Sequence, residues 1–412
     1  MSRKVLVTGL GAVTPCGNNV DAYWDSLING RSGLGPITKF DTTDFDVRIA
    51  GELKNFDPLD FIDKKESRRM DSFTQYAIAA SNMAVEDAGI DFSKLDRERI
   101  GVIVGTGIGG IESHEKQNTV LLERGPGKIS PFYIILMIPD IAPGHISMIH
   151  GLKGPNYSVT SACATASHAI GDAFKTIQRG DADMMVCGGT EAALTGMSVA
   201  GFANMRALST RNDDPEKASR PFDKDRDGFV MAEGSGIVII EAEEIALKRG
   251  AKIYGELCGI GFTADAHHVT APPPDGEGAV RAMRLALKDA GLTPEEIDYI
   301  NAHGTSTPYN DKTETTAIKT AFGEYAYKVS ISSTKSMTGH LLGASGGVEF
   351  IAGIKAMMHD TIPPTINYTT EDPECDLNYT PNKAVKKTVS TIMSNTFGFG
   401  GHNACLVAKE YK

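Results

Sequence analysis

The stretch DAGIDFSKLDRERIGVIVG, residues 87–105, decides the fold, because its plan returns as DAGLTPEEIDYINA at residues 289–302. In each copy a helix-compatible segment closes on Asp-Ala-Gly, an acidic loop follows, and an apolar segment typical of a buried strand comes next. Internal repeats of this kind indicate one structural unit used twice.

A second pair of segments follows in the same order. Residues 158–171 run from a β-rich start through Cys163 and His168, and residues 330–343 run from a similar start through Lys335 and His340. In both copies a histidine stands five positions after the cysteine or the lysine. Two matches in the same order favour a duplication. Strands that alternate with helices predict mostly parallel sheets covered by helices.

Length and composition agree with two packed halves of a globular protein. The chain has 412 residues, of which 41% are hydrophobic and 23% charged, enough for two buried cores. We predict halves at residues 1–250 and 251–412. The first half has additional segments near 110–150 and 195–230 that we expect to form a cap and an interface.

Charge and residue use disfavour several classes of protein. A net charge of −11 argues against general nucleic-acid binding. No apolar run reaches the roughly 18 residues of a membrane span, and the start has no stretch of signal-peptide length, so we expect a cytoplasmic protein without membrane contact. The six cysteines form no C-x-x-C pair and no zinc-like spacing, so we expect reduced thiols and no metal centre.

Cys163 stands where a strand-like segment, residues 157–160, meets a helix-like segment that begins at Ala164. A cysteine at a helix N-terminus lies near unpaired N–H groups and the positive end of the helix dipole, and both lower the pKa of a thiol. We therefore predict a reactive thiolate, against the alternative of a buried structural cysteine. That alternative is our interpretation of the other five: Cys16, Cys187, Cys258, Cys375 and Cys405.

Three further segments have residues suited to the same site. Residues 301–308, Asn-Ala-His-Gly-Thr-Ser-Thr-Pro, put His303 after a predicted strand, at the edge where parallel sheets bind ligands. Residues 335–340 begin with Lys335 and end with His340. Residues 395–401, Asn-Thr-Phe-Gly-Phe-Gly-Gly, predict a mobile loop whose N–H groups can face a reacting oxyanion. Taken alone, the first segment fits a Ser/Thr-rich surface turn equally well, and the last fits a glycine-rich β-turn.

Together these residues, from Val7-Thr8-Gly9 to Asn403-Ala404, resemble the beta-ketoacyl synthases of the thiolase-like superfamily over essentially the whole chain. The resemblance implies an α/β fold of five layers, αβαβα, built from two duplicated βαβαβ halves. It also implies an elongating condensing enzyme of the type II kind. Such an enzyme joins malonyl and acyl groups carried on acyl carrier protein and lengthens a fatty acid by two carbons.

The resemblance also implies catalytic roles. Cys163 would hold the growing acyl chain as a thioester, and the backbone N–H groups of Cys163 and Phe399 would form the oxyanion hole. His303 and His340 would stabilise the enolate that forms when malonyl loses carbon dioxide. Lys335 would be a structural and electrostatic partner of the site rather than a nucleophile.

Residues for binding are implied as well. Ile108, Phe202 and Phe399 would gate acyl length, and the hydroxyls of Thr305 and Thr307 would bind the amides of the pantetheine arm. In the following helix Glu349 would contact Lys335 and help to form a site for a structural monovalent cation. No other cofactor is implied.

Two partners follow from the resemblance. Acyl carrier protein is strongly acidic, and a basic patch would attract it despite the negative net charge. The patch corresponds to Lys65, Arg68, Arg69, Lys128 and Arg206. The alternative for residues 64–69 is an ordinary solvated helix face. The second partner is a copy of the chain, since a homodimer is expected in which the strand near residues 156–159 pairs across the axis.

Other classes fit these residues less well. Histidines at both 303 and 340 favour elongation over the initiating synthases, which have Asn for one histidine, and over thiolases, which have a second catalytic cysteine. Non-catalytic partner chains lack the cysteine. Residues 105–110 match G-x-G-x-x-G, the weak dinucleotide signature of a dehydrogenase, but the duplication does not resemble two mononucleotide-binding halves. A polyketide-type ketosynthase or a condensing enzyme that uses coenzyme A thioesters stays open.

Overall fold

Ten strands form the main sheet of residues 3–412, the part of the chain that the structure, a computed structural model, describes. Numbered in chain order, they are β1 (Val5–Val13), β2 (Ile100–Gly105), β3 (Asn156–Tyr157), β4 (Met184–Glu191), β5 (Gly234–Ala242), β6 (Gly255–Ala264), β7 (Tyr299–Asn301), β8 (Ser330–Ser332), β9 (Thr391–Gly398) and β10 (His402–Lys409). Two short ribbons pair Gly35–Pro36 with Ile49–Ala50 and Thr361–Ile362 with Val385–Lys386.

The α-helices surround and separate the strands. They are α1 (Val20–Ile28), α2 (Lys64–Ser67), α3 (Ser72–Asp87), α4 (Ile111–Arg124), α5 (Tyr133–Met137), α6 (Ile141–His150), α7 (Thr165–Gln178), α8 (Gly196–Asn204), α9 (Glu243–Arg249), α10 (Glu277–Ala290), α11 (Pro308–Phe322), α12 (Lys335–Thr338) and α13 (Ser345–His359). Among residues 3–412, none of these helices has both the length and the apolar character needed to cross a bilayer.

Two five-stranded units within the sheet have the same strand order. The first runs β3-β2-β4-β5-β1 and the second runs β8-β7-β9-β10-β6. In the first unit β2 is parallel to β3 and β4, and β5 is antiparallel to β4 and β1. The second unit repeats these directions strand for strand. The predicted duplication is therefore confirmed, and the units meet where Val5–Val7 of β1 pair with Gly255–Leu257 of β6.

Helices form three layers around the two units. The outer face of the first unit is covered by α3 and α6, and that of the second by α10, with α11 beside it. Between the units lie α7 and α13, which contact strands of both. The middle helix α13 is buried continuously from Ser345 to Met357, as expected for a helix packed on all sides. The predicted αβαβα order is confirmed.

A close contact between glycine and alanine fixes the outer helix on the first unit. In β1, a methyl group added at Gly11 would lie 1.9 Å from the carbonyl oxygen of Ala80 in α3. One added at Gly9 would lie 2.3 Å from the carbonyl oxygen of Ala84. Strand and helix backbones can approach this closely only because the strand has no side chain at either position.

The second unit has the same contact. In β6, a methyl group added at Gly261 would lie 2.0 Å from the carbonyl oxygen of Ala282 in α10, and one at Gly259 would lie 2.4 Å from that of Ala286. The duplication thus extends to the residues that set the spacing between layers.

The detailed register of the repeat differs from the predicted one. The turns Ala162–Ala164 and Leu342–Ala344 each begin with a left-handed residue, at φ 50° and 48°, and each leads directly into a middle helix. The counterpart of Cys163 is therefore Gly343, and the predicted match with Lys335 is wrong. The reason is α12, a one-turn helix that follows β8 in the second half only. In addition, β3 ends at Tyr157, so the strand expected to reach residue 160 is shorter.

We expect Gly11→Ala and Gly261→Ala each to destabilise the protein by about 3 kcal/mol, the upper end for overpacking, because the added methyl group meets rigid backbone. Thermal unfolding at matched protein concentration measures the effect. The control is Gly35→Ala, where an added methyl group meets nothing within 4 Å. Melting temperatures for the two variants equal to that of the control would contradict the close contact.

Candidate active site

A cavity of about 580 Å³ opens beside the carboxyl ends of the parallel strands and brings together most of the predicted site residues. Its lining includes the three residues predicted to react, Cys163, His303 and His340. It also includes every residue predicted to bind the acyl chain or the pantetheine arm: Ile108, Phe202, Thr305, Thr307 and Phe399. Lys335 and Glu349 do not line the cavity and lie buried behind the histidines.

The cysteine sits on a strained turn immediately before a helix. Ala162, which precedes it, has a φ of 50°, a conformation that costs a residue with a side chain about 1–3 kcal/mol. The turn ends where α7 begins at Thr165, so Cys163 lies at the helix start. Only 9% of Cys163 is exposed, and the backbone N–H of Phe399 donates to its sulfur.

Burial changes the expected protonation of this cysteine. It raises the pKa of the Cys163 thiol to about 11, and this effect outweighs the nearby charge of Lys335 and the N–H of Phe399, which both lower it. The prediction of a lowered pKa is therefore wrong for the resting site. The helix start and the N–H groups are present as expected, but loss of water around the sulfur has the larger effect.

The two histidines are held by their Nδ1 atoms. Nδ1 of His303 accepts from Nζ of Lys335 at 3.3 Å. Nδ1 of His340 accepts from the backbone N–H of Leu342 at 3.3 Å and lies 2.9 Å from Oγ of Ser345. A nitrogen that accepts carries no proton, so in both rings the proton belongs on Nε2. The ring centroids are 5.4 Å apart, and both histidines line the same cavity.

Both imidazoles are neutral. Burial, with the positive charge of Lys335 as the next cause, holds the pKa of His303 and of His340 well below the ordinary 6.5. Lys335 in turn forms a buried ion pair with Glu349. The site therefore offers two uncharged N–H donors that need no proton from solvent.

Two carboxylates that sequence reasoning missed fix the loop after β7. Glu314 accepts from the backbone N–H of His303 and of Gly304, both at 2.8 Å. Asp311 accepts from the backbone N–H of Thr305 at 3.0 Å. Both lie in α11, three residues apart, so they point to the same side of the helix. That spacing, directly after the His-Gly-Thr motif, was the available signal in the sequence.

The glycine-rich segment that carries Phe399 is bonded to a second loop over the cavity. The N–H of Gly400 donates to the carbonyl of Val269 at 2.7 Å, and the N–H of Asp265 donates to the carbonyl of Gly401 at 2.9 Å. Asp265 and His268, from this second loop, also line the cavity.

Within a single chain, the basic residues predicted to bind the carrier protein do not form one continuous patch. Arg206 is exposed and lines the cavity, whereas the other four residues, Lys65, Arg68, Arg69 and Lys128, do not. Of these, Arg69 lies over the ring of Phe132, 5.1 Å from the ring centre. Phe132 stands four positions after Lys128 in the sequence. The segments of α2 and residues 126–132 are therefore neighbours on the surface.

Comparisons with known proteins agree over the whole chain. The family model "Beta-ketoacyl synthase, N-terminal domain" matches residues 2–246, and "Beta-ketoacyl synthase, C-terminal domain" matches residues 254–369. The chain is 57% identical over 410 residues to "3-oxoacyl-[acyl-carrier-protein] synthase 2" of Synechocystis sp., covering 100% of this chain and 99% of that one. It is 52% identical over 411 residues to the protein of the same name from Staphylococcus aureus, with the same coverage.

Solved structures show the same fold. "The ishigamide ketosynthase/chain length factor" superimposes with a TM-score of 0.94 at 37% identity, covering 100% of both chains. A type II polyketide ketosynthase solved "in complex" with its acyl-carrier protein gives 0.93 at 34% identity, again over 100% of both chains. A beta-ketoacyl synthase from Burkholderia phymatum gives 0.92 at 36% identity with the same coverage.

We expect nitrogen NMR of histidine-labelled protein to show His303 and His340 as neutral rings protonated on Nε2 from about pH 8 to about pH 6, because their pKa values are depressed below 6.5. The signals are assigned by their loss in His303→Ala and His340→Ala. A titration of either ring with a midpoint near its ordinary value would contradict the buried, neutral pair.

Proposed function

Since the chain belongs to the beta-ketoacyl synthase family, we propose that it is an elongating condensing enzyme of fatty-acid synthesis, a beta-ketoacyl-[acyl-carrier-protein] synthase of the type II kind. It joins an acyl chain held on Cys163 to malonyl carried on acyl carrier protein, with loss of carbon dioxide. The observation that carries this proposal is the meeting of Cys163, the N–H of Phe399 and two neutral histidines in one cavity.

In the first partial reaction the acyl group moves to the cysteine. The bond between Sγ of Cys163 and the acyl carbon forms, the bond to the carrier's sulfur breaks, and the proton of the thiol leaves on the released carrier thiol. The N–H groups of Cys163 and Phe399 stabilise the oxyanion that forms in between. Exchange of one thioester for another changes the free energy little, so a cysteine suits this carrier role.

In the second partial reaction malonyl loses carbon dioxide. The bond to the carboxylate breaks, and the electron pair passes into the enolate of the remaining thioester. His303 and His340 donate from Nε2 to its oxygen, where negative charge appears only as the bond breaks. The enolate carbon then attacks the acyl carbon on Cys163, and the cysteine leaves as a thiolate when its sulfur–carbon bond breaks. A proton from solvent restores the thiol.

Fatty-acid elongation is favoured over the polyketide alternative by sequence identity. The relatives named 3-oxoacyl-[acyl-carrier-protein] synthase 2 are 52–57% identical to this chain, whereas the type II polyketide ketosynthase that covers 100% of both chains is 34% identical. Products lengthened once from a saturated acyl chain would support fatty-acid elongation. Repeated condensation without reduction would support the polyketide alternative, and equal rates with coenzyme A thioesters would support a carrier-independent enzyme.

A homodimer is the second part of the proposal. Apolar side chains stand exposed on α4 to α6, including Leu122 at 77%, Met148 at 66% and Ile134 at 57%. β3 is exposed at the end of its sheet unit, where an unpaired strand favours pairing with another chain. Light scattering that gave the mass of one chain at micromolar concentration would overturn this part.

A monovalent cation is the third part. Three buried oxygens lack a hydrogen-bond donor: Oδ1 of Asn301, Oε2 of Glu349 and Oγ of Ser394. They belong to one neighbourhood, because Ser394 pairs with Asn301 in the sheet and the Asn301 amide donates to the carbonyl of Glu349 at 3.3 Å. Oxygens from an amide, a hydroxyl and a carboxylate fit a hard cation, which would neutralise buried negative charge here. Equal melting temperatures in potassium and tetramethylammonium chloride would overturn it.

We expect Cys163 to gain the mass of the acyl group when the protein is incubated with a long-chain acyl carrier protein thioester. Intact mass and peptide mapping measure this gain.

Cys163→Ser should lower acyl transfer by at least about a hundredfold with the fold intact, because a hydroxyl is a far weaker nucleophile at neutral pH. His340→Ala should still accept the acyl group but fail to decarboxylate malonyl. Near-normal elongation by Cys163→Ser would overturn the proposed function.

We expect Arg206→Glu to raise the KM for acyl carrier protein about tenfold and to weaken the salt dependence of the rate, while kcat changes little, because a surface charge steers docking. Lys248→Glu is the matched control. Lys248 is exposed and lies in α9. This helix follows the carboxyl end of β5, and His340 lies near the other end of that strand. An equal KM for both variants would contradict docking at this edge of the cavity.

A further inference from the structure

Glu191 is a buried carboxylate that the reaction as described does not use. It ends β4 and has no exposed surface. Its Oε1 accepts from the hydroxyl of Thr106 at 2.8 Å and from the N–H of Ile108 at 3.2 Å. Its Oε2 accepts from the N–H of Gly107 at 2.8 Å and from the N–H of Gly343 at 2.9 Å. One side chain therefore binds two separate backbone segments.

The first segment belongs to the acyl side of the cavity. Gly107 and Ile108 line the cavity, and 37% of Ile108 is exposed to it and to solvent. A methyl group added at Gly107 would lie 3.5 Å from the carbonyl of Ala162, the residue before the cysteine. The position of this loop thus affects both the space for the acyl chain and the turn that carries Cys163.

The second segment belongs to the malonyl side. Gly343 lies in the turn Leu342–Ala344, and the N–H of Leu342 in the same turn donates to Nδ1 of His340. That bond selects the ring proton on Nε2, the donor for the enolate. A shift of this turn would therefore move or reorient the donor.

The two segments approach each other closely beside the carboxylate. A methyl group added at Gly343 would lie 2.3 Å from the backbone nitrogen of Gly107, so the segments touch through backbone alone. Both N–H groups point at Oε2 of Glu191, and they come from the first and the second half of the chain.

We propose that Glu191 is a positioning residue that anchors the acyl-side loop at Gly107 and the His340 turn at Gly343 to one carboxylate. Acyl transfer and malonyl decarboxylation then share one anchor, although different residues perform them. This inference rests on the proposed function.

A purely structural role is the competing explanation, and Glu241 provides the comparison. Glu241 is also fully buried, and it pairs with Arg249 and with the hydroxyl of Thr8. Strand β5 begins at Gly234, just after the segment whose backbone bonds to His340. Glu241 lies near the other end of that strand, away from the site. Loss of Glu241 should affect stability without a preference for either partial reaction.

The test measures the two partial reactions separately in the full-length protein. Single-turnover acylation of Cys163 is followed by intact mass, and decarboxylation by the carbon dioxide released from malonyl carrier protein on the acylated enzyme. Glu191→Gln presents an NH₂ group to one pair of donors, so we expect both rates to fall at least about tenfold. Thr106→Val removes a donor on the loop side only, so we expect slower acylation with decarboxylation within about twofold.

The control variant Glu241→Gln should change both rates by less than about twofold even where its melting temperature falls. Glu191→Asp, one methylene shorter, is the second variant if Glu191→Gln does not fold, and it too should slow both steps. A folded Glu191 variant that slows only one step, or neither, would overturn the inference. Absence of both reactions in the unmodified protein would count against the proposed function instead.

Discussion

The Lys335 side chain provides the buried positive charge on which the arrangement of the site depends. It donates to His303, helps to hold the pKa values of both histidines below their usual range, and opposes the rise in the pKa of Cys163. Such a charge is costly to bury unless it is paired, and Glu349 supplies the partner from the middle helix α13. The fold provides this pair with a place between the two five-stranded units, where water is excluded and each charge acts strongly on its neighbours.

Much of the fold could be predicted because it depends on local patterns. The repeated Asp-Ala-Gly segments, the apolar strands and the small residues around Cys163 follow periodicities that the sequence displays directly. The exact pairing of the repeats could not be predicted, because α12 lengthens one copy and similar small residues occur on both sides of it. Only the shared left-handed turns at Ala162 and Leu342 show which positions correspond.

The site residues divide in the same way. Cys163, His303, His340 and Lys335 stand in recognisable motifs, but the carboxylate Glu191 does not. Three of its four donors are backbone N–H groups, and a backbone donor leaves no trace in the residue types around it. Asp311 and Glu314 also bind backbone N–H groups, and only their spacing after the His-Gly-Thr motif gave a signal. The direction of the thiol's pKa was also beyond reach, because it depends on burial by segments from both halves of the chain. From the sequence, the residues predicted to react are therefore easier to identify than the residues that hold them in place.

The duplicated turns also explain why the two halves cannot exchange their tasks. The first-half turn has a cysteine facing the cavity, and the position equivalent to it in the second half is Gly343, where a side chain would collide with the backbone of Gly107. A thiol introduced there would have no room, so position 343 in the second copy of the turn is confined to contacts through its backbone. Symmetry in the chain's architecture has in this way become asymmetry in its chemistry, with one copy carrying the proposed nucleophile and the other supporting a histidine.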